Sequence, residues 1–271
     1  ASTDGGPDLV VQRYADRVRL IERSENSVTA ARNQGFRASS GEFLLSLDND
    51  TLLPDREILR TIVETFRLHP GAGLLAFRIA SPENPHGHQV EHWWHPPRQE
   101  DFEEVSFWTP FFPEAAAAIR REAFLATGGY DEDFFMGGEQ LDFSLSLMRE
   151  GYRVLYVPRL IAIEEDVRGV LAGKDHPIHF LNLRNKLWTA WKHFPAGPAV
   201  GYGAGWIIAE GLRAARHGRL ASWGRALIAG ILAPSAIRAR RKPLKSDAWR
   251  NYREVRKGMP VQPNRQGSGP E

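Results

Sequence analysis

The chain has 271 residues, enough for one domain with an appendage or for two small domains. With 42% apolar and 25% charged residues and a net charge of +2, it can bury an ordinary core. The absence of cysteine excludes disulfides, thiol nucleophiles and cysteine-ligated zinc.

Residues 7–15 carry a weak helical period, with Pro7 suited to a first turn. Residues 18–22, VRLIE, alternate as a strand does. Asn26 or Ser27 caps a helix running to about Ala38 and closing near Gly41. Residues 43–47, FLLSL, read as a buried strand that ends in Asp48-Asn49-Asp50. Asp55 caps an amphipathic helix with Ile58, Leu59, Ile62, Val63 and Phe66 on one face, stopped by His69-Pro70-Gly71. Residues 74–80 form another strand, and the alternation of strand and helix predicts an α/β fold with a largely parallel sheet. Residues 82–104 are polar and rich in Pro and His, as lids and binding loops are.

Residues 115–119 return to the sheet, and a short helix after them ends at Gly128 and Gly129. The next helix spans residues 139–150, and a strand over 153–157 stops at Pro158. Helices follow from about residue 179 through Arg241. These elements divide the chain into an α/β domain over 1–185, a helical basic region over 186–257 and a disordered tail over 258–271.

Asp48 and Asp50 stand where a buried strand leaves the sheet, the place where open α/β sheets bind ligands. Two carboxylates at i and i+2 suit a hard divalent cation that also takes phosphate oxygens. Phosphatases of the haloacid dehalogenase class use a similar Asp pair. Here Thr51 follows Asp50 one residue too early for that pattern. In the segment FFMGGEQLDFSL, Glu139 and Asp142 lie three apart and share a helix face. Acids set among apolar residues need partners or a task.

Taken together, four segments resemble the family 2 glycosyltransferases of GT-A fold: ASTDGG, ENSVTAARNQGFRASSGEFLLSLDND, AAAAIRREAFLATGGYDEDFFMGGEQLDFSLSLMREGYRVLYVP and LRNKLWTAWKHFP. The resemblance covers residues 2–195. It implies a Rossmann-like, mostly parallel sheet flanked by helices, with a helical, basic C-terminal extension. It further implies inverting transfer of a sugar from a nucleotide-diphosphate donor to a hydroxyl of a glycan or lipid-linked acceptor, in cell-surface polysaccharide synthesis. By analogy Asp50 and Asp48 hold Mg²⁺ or Mn²⁺ and the donor, with Arg32 and Asn33 beside it. The family's usual base position falls on Gln140, which cannot accept a proton. Catalysis is then left to Glu139 or Asp142, with Gln140 on the acceptor side. The alternative is a scaffold retained for binding or assembly. Glu164 stands near the place of a metal-binding His, with His176 and His179 as substitutes. The family's first strand and helix would precede Ala1.

His88 and His92 have the i, i+4 spacing of a zinc pair, but prolines and the lack of a third ligand argue against a site. Trp93 and Trp94 either stack on the acceptor sugar or pack under the loop. Phe107, Trp108, Phe111 and Phe112 read as core. In the tail Trp206, Ile207, Ile208, Leu212 and Leu220 alternate with Arg213, Arg216, Arg219 and Arg225. Such helices suit an anionic membrane surface, here the inner face of the plasma membrane, for a cytoplasmic peripheral protein. Packing on the catalytic domain or a homo-oligomer contact is the other use. No nucleic-acid-binding module is present. No stretch reaches the ~20 apolar residues of a membrane span, and no signal peptide is evident.

Overall fold

The computed structural model describes residues 5–14, 16–87, 93, 95, 97–165 and 177–261. Two helices come first, α1 (Gly6–Tyr14) and α2 (Val28–Ala38), followed by β1 (Phe43–Leu47), β2 (Thr51–Leu52), α3 (Ile58–Leu68) and β3 (Ala72–Ala80). Next are α4 (Gln99–Phe102), β4 (Phe107–Thr109), β5 (Ala116–Arg120), α5 (Arg121–Thr127), a 3-10 turn (Glu132–Phe134), α6 (Glu139–Arg149) and β6 (Arg153–Glu164). The C-terminal part holds α7 (Ile178–His193), α8 (Ala196–Arg216), α9 (Leu220–Ile231), α10 (Ser235–Ala239), α11 (Ser246–Val255) and β7 (Met259–Pro260).

The strands form one sheet in the order β1-β5-β3-β6-β4-β7, with β2 against β6. The α/β class is as expected, but the pairing is mixed. Only β3 and β6 run parallel among the described strands. β5 inserts antiparallel between β1 and β3. Its run of alanines is buried on both faces. Ala116 and Ala118 join a core with Ile62 and Phe66 of α3, while Ala117 and Ile119 join one with Phe36 of α2 and Phe124 of α5. Helices therefore cover both sides of the sheet.

Several elements depart from the sequence reading. Residues 18–22 form no strand, and Val18 and Leu20 are exposed. Alternation alone does not make a strand; a neighbouring ladder must satisfy its backbone. Pro158 does not stop β6. The ladder jumps from Phe77↔Val157 to Arg78↔Ile161, a bulge that absorbs the proline's missing donor. Leu59 faces solvent rather than the core. Asp55 accepts a bond from Glu57 N in a turn ahead of α3. Ser27 does cap α2, accepting from Ala30 N at 3.3 Å.

The boundary expected at residue 185 falls in the middle of α7. Residues 259–260, assigned to a disordered tail, form β7 and pair with Trp108 and Phe107; residues 262–271 lie outside the described residues. Phe107, Trp108 and Phe112 are buried, as expected.

Candidate active site

β1 delivers Asp48 to the end of the sheet. Its backbone N donates to Ala115 O at 3.0 Å, and Thr51 N closes a turn onto Asp48 O. Pairing of Thr51 with Glu164, and of Asp50 O with Glu165 N, folds this turn against the end of β6. Burial raises the Asp48 carboxyl; Arg32 opposes the shift, while Asp50 and Glu164 add to it. Three carboxylates thus act on one small region.

Arg32 comes from α2 and is nearly buried. Its Nη2 meets Asp48 Oδ1 at 2.6 Å, and its Nε lies 3.2 Å from Glu114 Oε2. Burial works against the guanidinium charge, but Glu114, Tyr130 and Asp48 outweigh it. Glu114 itself is buried, with Arg32 and the Tyr130 side chain as its polar neighbours. Burial raises its carboxyl, with Arg32 opposing.

Glu139 opens α6 and is 4% exposed. Burial, then repulsion from Glu114, pushes its carboxyl up to about 8. Backbone N–H groups and Arg32 oppose the shift. Its Oε2 lacks a hydrogen-bond partner among the described residues. Arg32, Glu114 and Glu139 therefore interact as one buried group beside Asp48.

The loop before α6 is held in an unusual shape. Phe135 has φ 64°, and Gly137 and Gly138 have φ 79° and 92°. A Cβ at Gly137 would also lie 2.7 Å from Asn182 Oδ1. α7 clasps this loop: Asn185 Nδ2 reaches the carbonyls of Phe134, Met136 and Gly137 at 2.6–3.0 Å. Arg184 fixes that amide through Asn185 Oδ1 at 2.8 Å and donates to Asp133 O and Phe134 O. Asn185→Ala strands buried carbonyls and is expected to cost about 1–3 kcal/mol. Thermal denaturation and faster amide exchange over residues 134–138 check it.

The structure separates the expected site residues. The Asn33 side chain is taken up by protein groups. Its Nδ2 donates to Tyr130 O (2.8 Å) and Glu132 Oε1 (2.9 Å), and its Oδ1 accepts from Tyr130 N (2.8 Å), so it pins the turn after α5. Asp142 sits in a buried ion cluster. Lys192 Nζ lies 2.7 and 2.8 Å from its two oxygens, and His193 Nε2 2.9 Å from Oδ1. Burial alone would raise this carboxyl, but Lys192 and His193 hold it down at about 2. Lys192 also meets Asp131 at 2.6 Å. Gln140 turns its amide oxygen back to Gly138 N at 3.2 Å. Trp93 packs under its loop: the indole donates to Pro97 O at 2.7 Å, and the ring meets Phe107 and Tyr156. Trp94, His88, His92 and His176 lie outside the described residues; His179 contacts Arg219.

Glu114, Lys192 and His193 were not singled out from the sequence. An acid directly before a four-alanine run invites the same question as Glu139, and that signal was available. A lysine late in an amphipathic helix carries no comparable mark.

Among the described residues no three His, Asp or Glu side chains come together as a metal cage. Asp48 and Asp50 nevertheless fit Mg²⁺ or Mn²⁺ in the mode that uses one or two carboxylates and completes the shell with phosphate and water. Their mutual repulsion, with Glu164, is what a cation relieves.

Residues 1–127 match the family model described as Glycosyl transferase family 2, a stretch that carries Arg32, Asp48, Asp50 and Glu114. These residues belong to glycosyl transferase family 2. The fold is GT-A, and the haloacid dehalogenase alternative drops out. Similar solved structures include the mannosyltransferase PcManGT from Pyrobaculum calidifontis in complex with GDP-Man and Mn²⁺. It is 22% identical, with a TM-score of 0.53 over 88% of this chain and 66% of that one. GalNAc-T7 with UDP, GalNAc and Mn²⁺ is 16% identical, with a TM-score of 0.54 over 70% of this chain and 39% of that one. TarS 1-349 of S. aureus with UDP-GlcNAc is 13% identical, with a TM-score of 0.54 over 89% and 72%. The chain thus spans less than two thirds of the length of the first two. No curated protein sequence matches it significantly. In the family 2 frame, Arg32 and Asp48 fall within the matched segment, while α6 and the α7 clasp lie C-terminal to it.

Proposed function

We propose that this chain is the catalytic part of an inverting glycosyltransferase. It moves a sugar from a nucleoside-diphosphate donor to a hydroxyl of a glycan or lipid-linked acceptor, in the assembly of cell-surface polysaccharide. The observation that carries the reading is the joining of Asp48, Arg32, Glu114 and Glu139 at the carboxyl end of β1. GDP-Man and UDP-GlcNAc in the neighbours' complexes support a nucleotide-sugar donor.

Asp50 and Asp48 would hold the divalent cation, which supplies charge to a diphosphate leaving group. Arg32 brings a second, permanent positive charge beside Asp48 and suits phosphate oxygens. Glu139 takes the role that Gln140 cannot fill. The acceptor oxygen attacks the anomeric carbon, and its proton passes to the Glu139 carboxylate. The bond to the diphosphate breaks with its electron pair, and the nucleoside diphosphate leaves. Burial of Glu139 makes it a stronger base than an exposed carboxylate, at the expense of its ionised fraction.

The experiment is Asp50→Ala in the full-length protein, read by Mn²⁺ titration and by transfer from a panel of nucleotide sugars. A loss of at least about 100-fold in transfer, with weakened Mn²⁺ binding and an unchanged melt, is expected. Parent-level transfer by this variant would remove the metal from the mechanism. The second reading, a binding scaffold without turnover, is favoured by Gln140 serving only its own helix end. Turnover by the parent protein excludes it.

A further inference from the structure

Residues 196–245 hold nine Lys and Arg against one acid, Glu210. That acid is turned inward, paired with Lys186 and Arg213 at 3.0 Å each. Arg240 is paired with Asp131 and Asp133, and the segment's excess of positive charge rests on the remaining cations, exposed Arg216 and Arg225 among them.

The same segment exposes apolar side chains in register. On α8, Val200, Ile208 and Leu212 follow at multiples of four residues, with exposures of 73%, 63% and 59%. On α9, Leu220, Ile228 and Ile231, with Leu232 just beyond, are as open. Both helices rest on α7 through small residues: a Cβ at Gly203 or Gly230 would meet Leu187. The bulky apolar residues thus stand away from the body that supports the hairpin. Trp206 and Trp223 are not part of this face. Lys186 lies 3.4 Å from the Trp206 ring centroid, and the Trp223 indole donates to Ile207 O. Among the described residues no helix is long and apolar enough to cross a membrane.

We propose that the α8–α9 hairpin docks on an anionic lipid surface. Val200, Ile208, Leu212, Ile228, Ile231 and Leu232 enter the region between headgroups and acyl chains, and Arg216, Arg225 and neighbouring cations meet lipid phosphates. Two demands decide the occupant. Nucleic acid would satisfy the cations and leave the apolar ridge in water. A second copy would cover the ridge and bring the hairpin's arginines, Arg216 and Arg225 among them, against their counterparts. An anionic bilayer satisfies both at once. The proposal stands apart from the transfer reaction, since it uses none of its residues.

The test is co-sedimentation of the full-length protein with phosphatidylcholine vesicles, with and without phosphatidylglycerol, at low and high salt. Binding is expected only with phosphatidylglycerol and is expected to weaken with salt. Ile228→Glu with Leu232→Glu, and separately Arg216→Ala with Arg225→Ala, should each weaken it on the order of tenfold or more. All four positions are exposed, so the melting temperature should hold. Sugar transfer to a soluble acceptor should also stay at the parent level, which keeps this test separate from that of the reaction. Absence of binding to anionic vesicles, or equal binding by both variants, overturns the proposal. So does concentration-dependent dimerisation abolished by Ile228→Glu with Leu232→Glu, which would assign the ridge to a second copy.

Discussion

Glu139→Gln is expected to lower kcat by about 10²–10⁴-fold, the usual contribution of a general base. The substitution keeps the size of the side chain and removes its only basic form. Donor binding, read by nucleotide titration, should change little, because Arg32 and Asp48 remain. The pH profile makes the assignment specific. With a carboxyl at about 8, only about a tenth of Glu139 is ionised at pH 7. Transfer should therefore rise between pH 7 and 9, unlike that of an enzyme using an ordinary carboxylate. Stability runs the other way. The folded-state value lies above the unfolded 4.5, so the native state retains a proton that the unfolded chain has lost. This contribution is complete below about pH 4.5 and disappears as pH rises through about 8. Glu139→Gln carries no such penalty and should melt higher than the parent at pH 8. An inactive variant that is also more stable separates chemistry from folding. A variant with parent-level transfer would move the base elsewhere.

Lys192→Met is expected to destabilise the fold by about 3–5 kcal/mol. It leaves Asp131 and Asp142 facing each other, both almost fully buried, without the cation between them. At roughly 2–4 °C per kcal/mol for a chain of this size, the melting temperature should fall by about 6–20 °C. The parent cluster also has a pH signature. The Asp142 carboxyl is held down at about 2, below its unfolded 3.8. Its contribution is present above the unfolded value and is lost as pH falls through about 2. Melting curves between pH 5 and 2 should therefore converge for parent and Lys192→Met. Curves that stay equally far apart would mean that the lysine acts by packing alone.

These two residues mark how far sequence reading reached: Glu139 was singled out and Lys192 was not. The strands 43–47, 74–80 and 153–157 and the helix at 139 were legible because their apolar periods are strong and their ends carry Asp, Gly or Pro. The Asp48–Asp50 turn was legible because it ends a strand. The placement of β5 was not, since a run of alanine fits either edge or centre, and only the packed helices decide. Glu139 and Asp142 share a helix face and looked equivalent. They differ through partners 25 to 107 residues away in sequence: Arg32 and Glu114 for Glu139, Lys192 and His193 for Asp142. Asn33 lies beside Arg32 in sequence, yet α2 turns its side chain to the backbone of Tyr130. Pairings of that range leave no local trace.

α7 joins these parts in one rod of 16 residues, about 24 Å long. Its middle holds the loop before Glu139, its far end locks α6 through Asp142, and its outer side carries the α8–α9 hairpin. A rigid strut of this kind sets a fixed reach. Wherever the hairpin rests, the height of Glu139 above that plane is already decided. An acceptor would then be selected partly by how far its hydroxyl stands from its anchor.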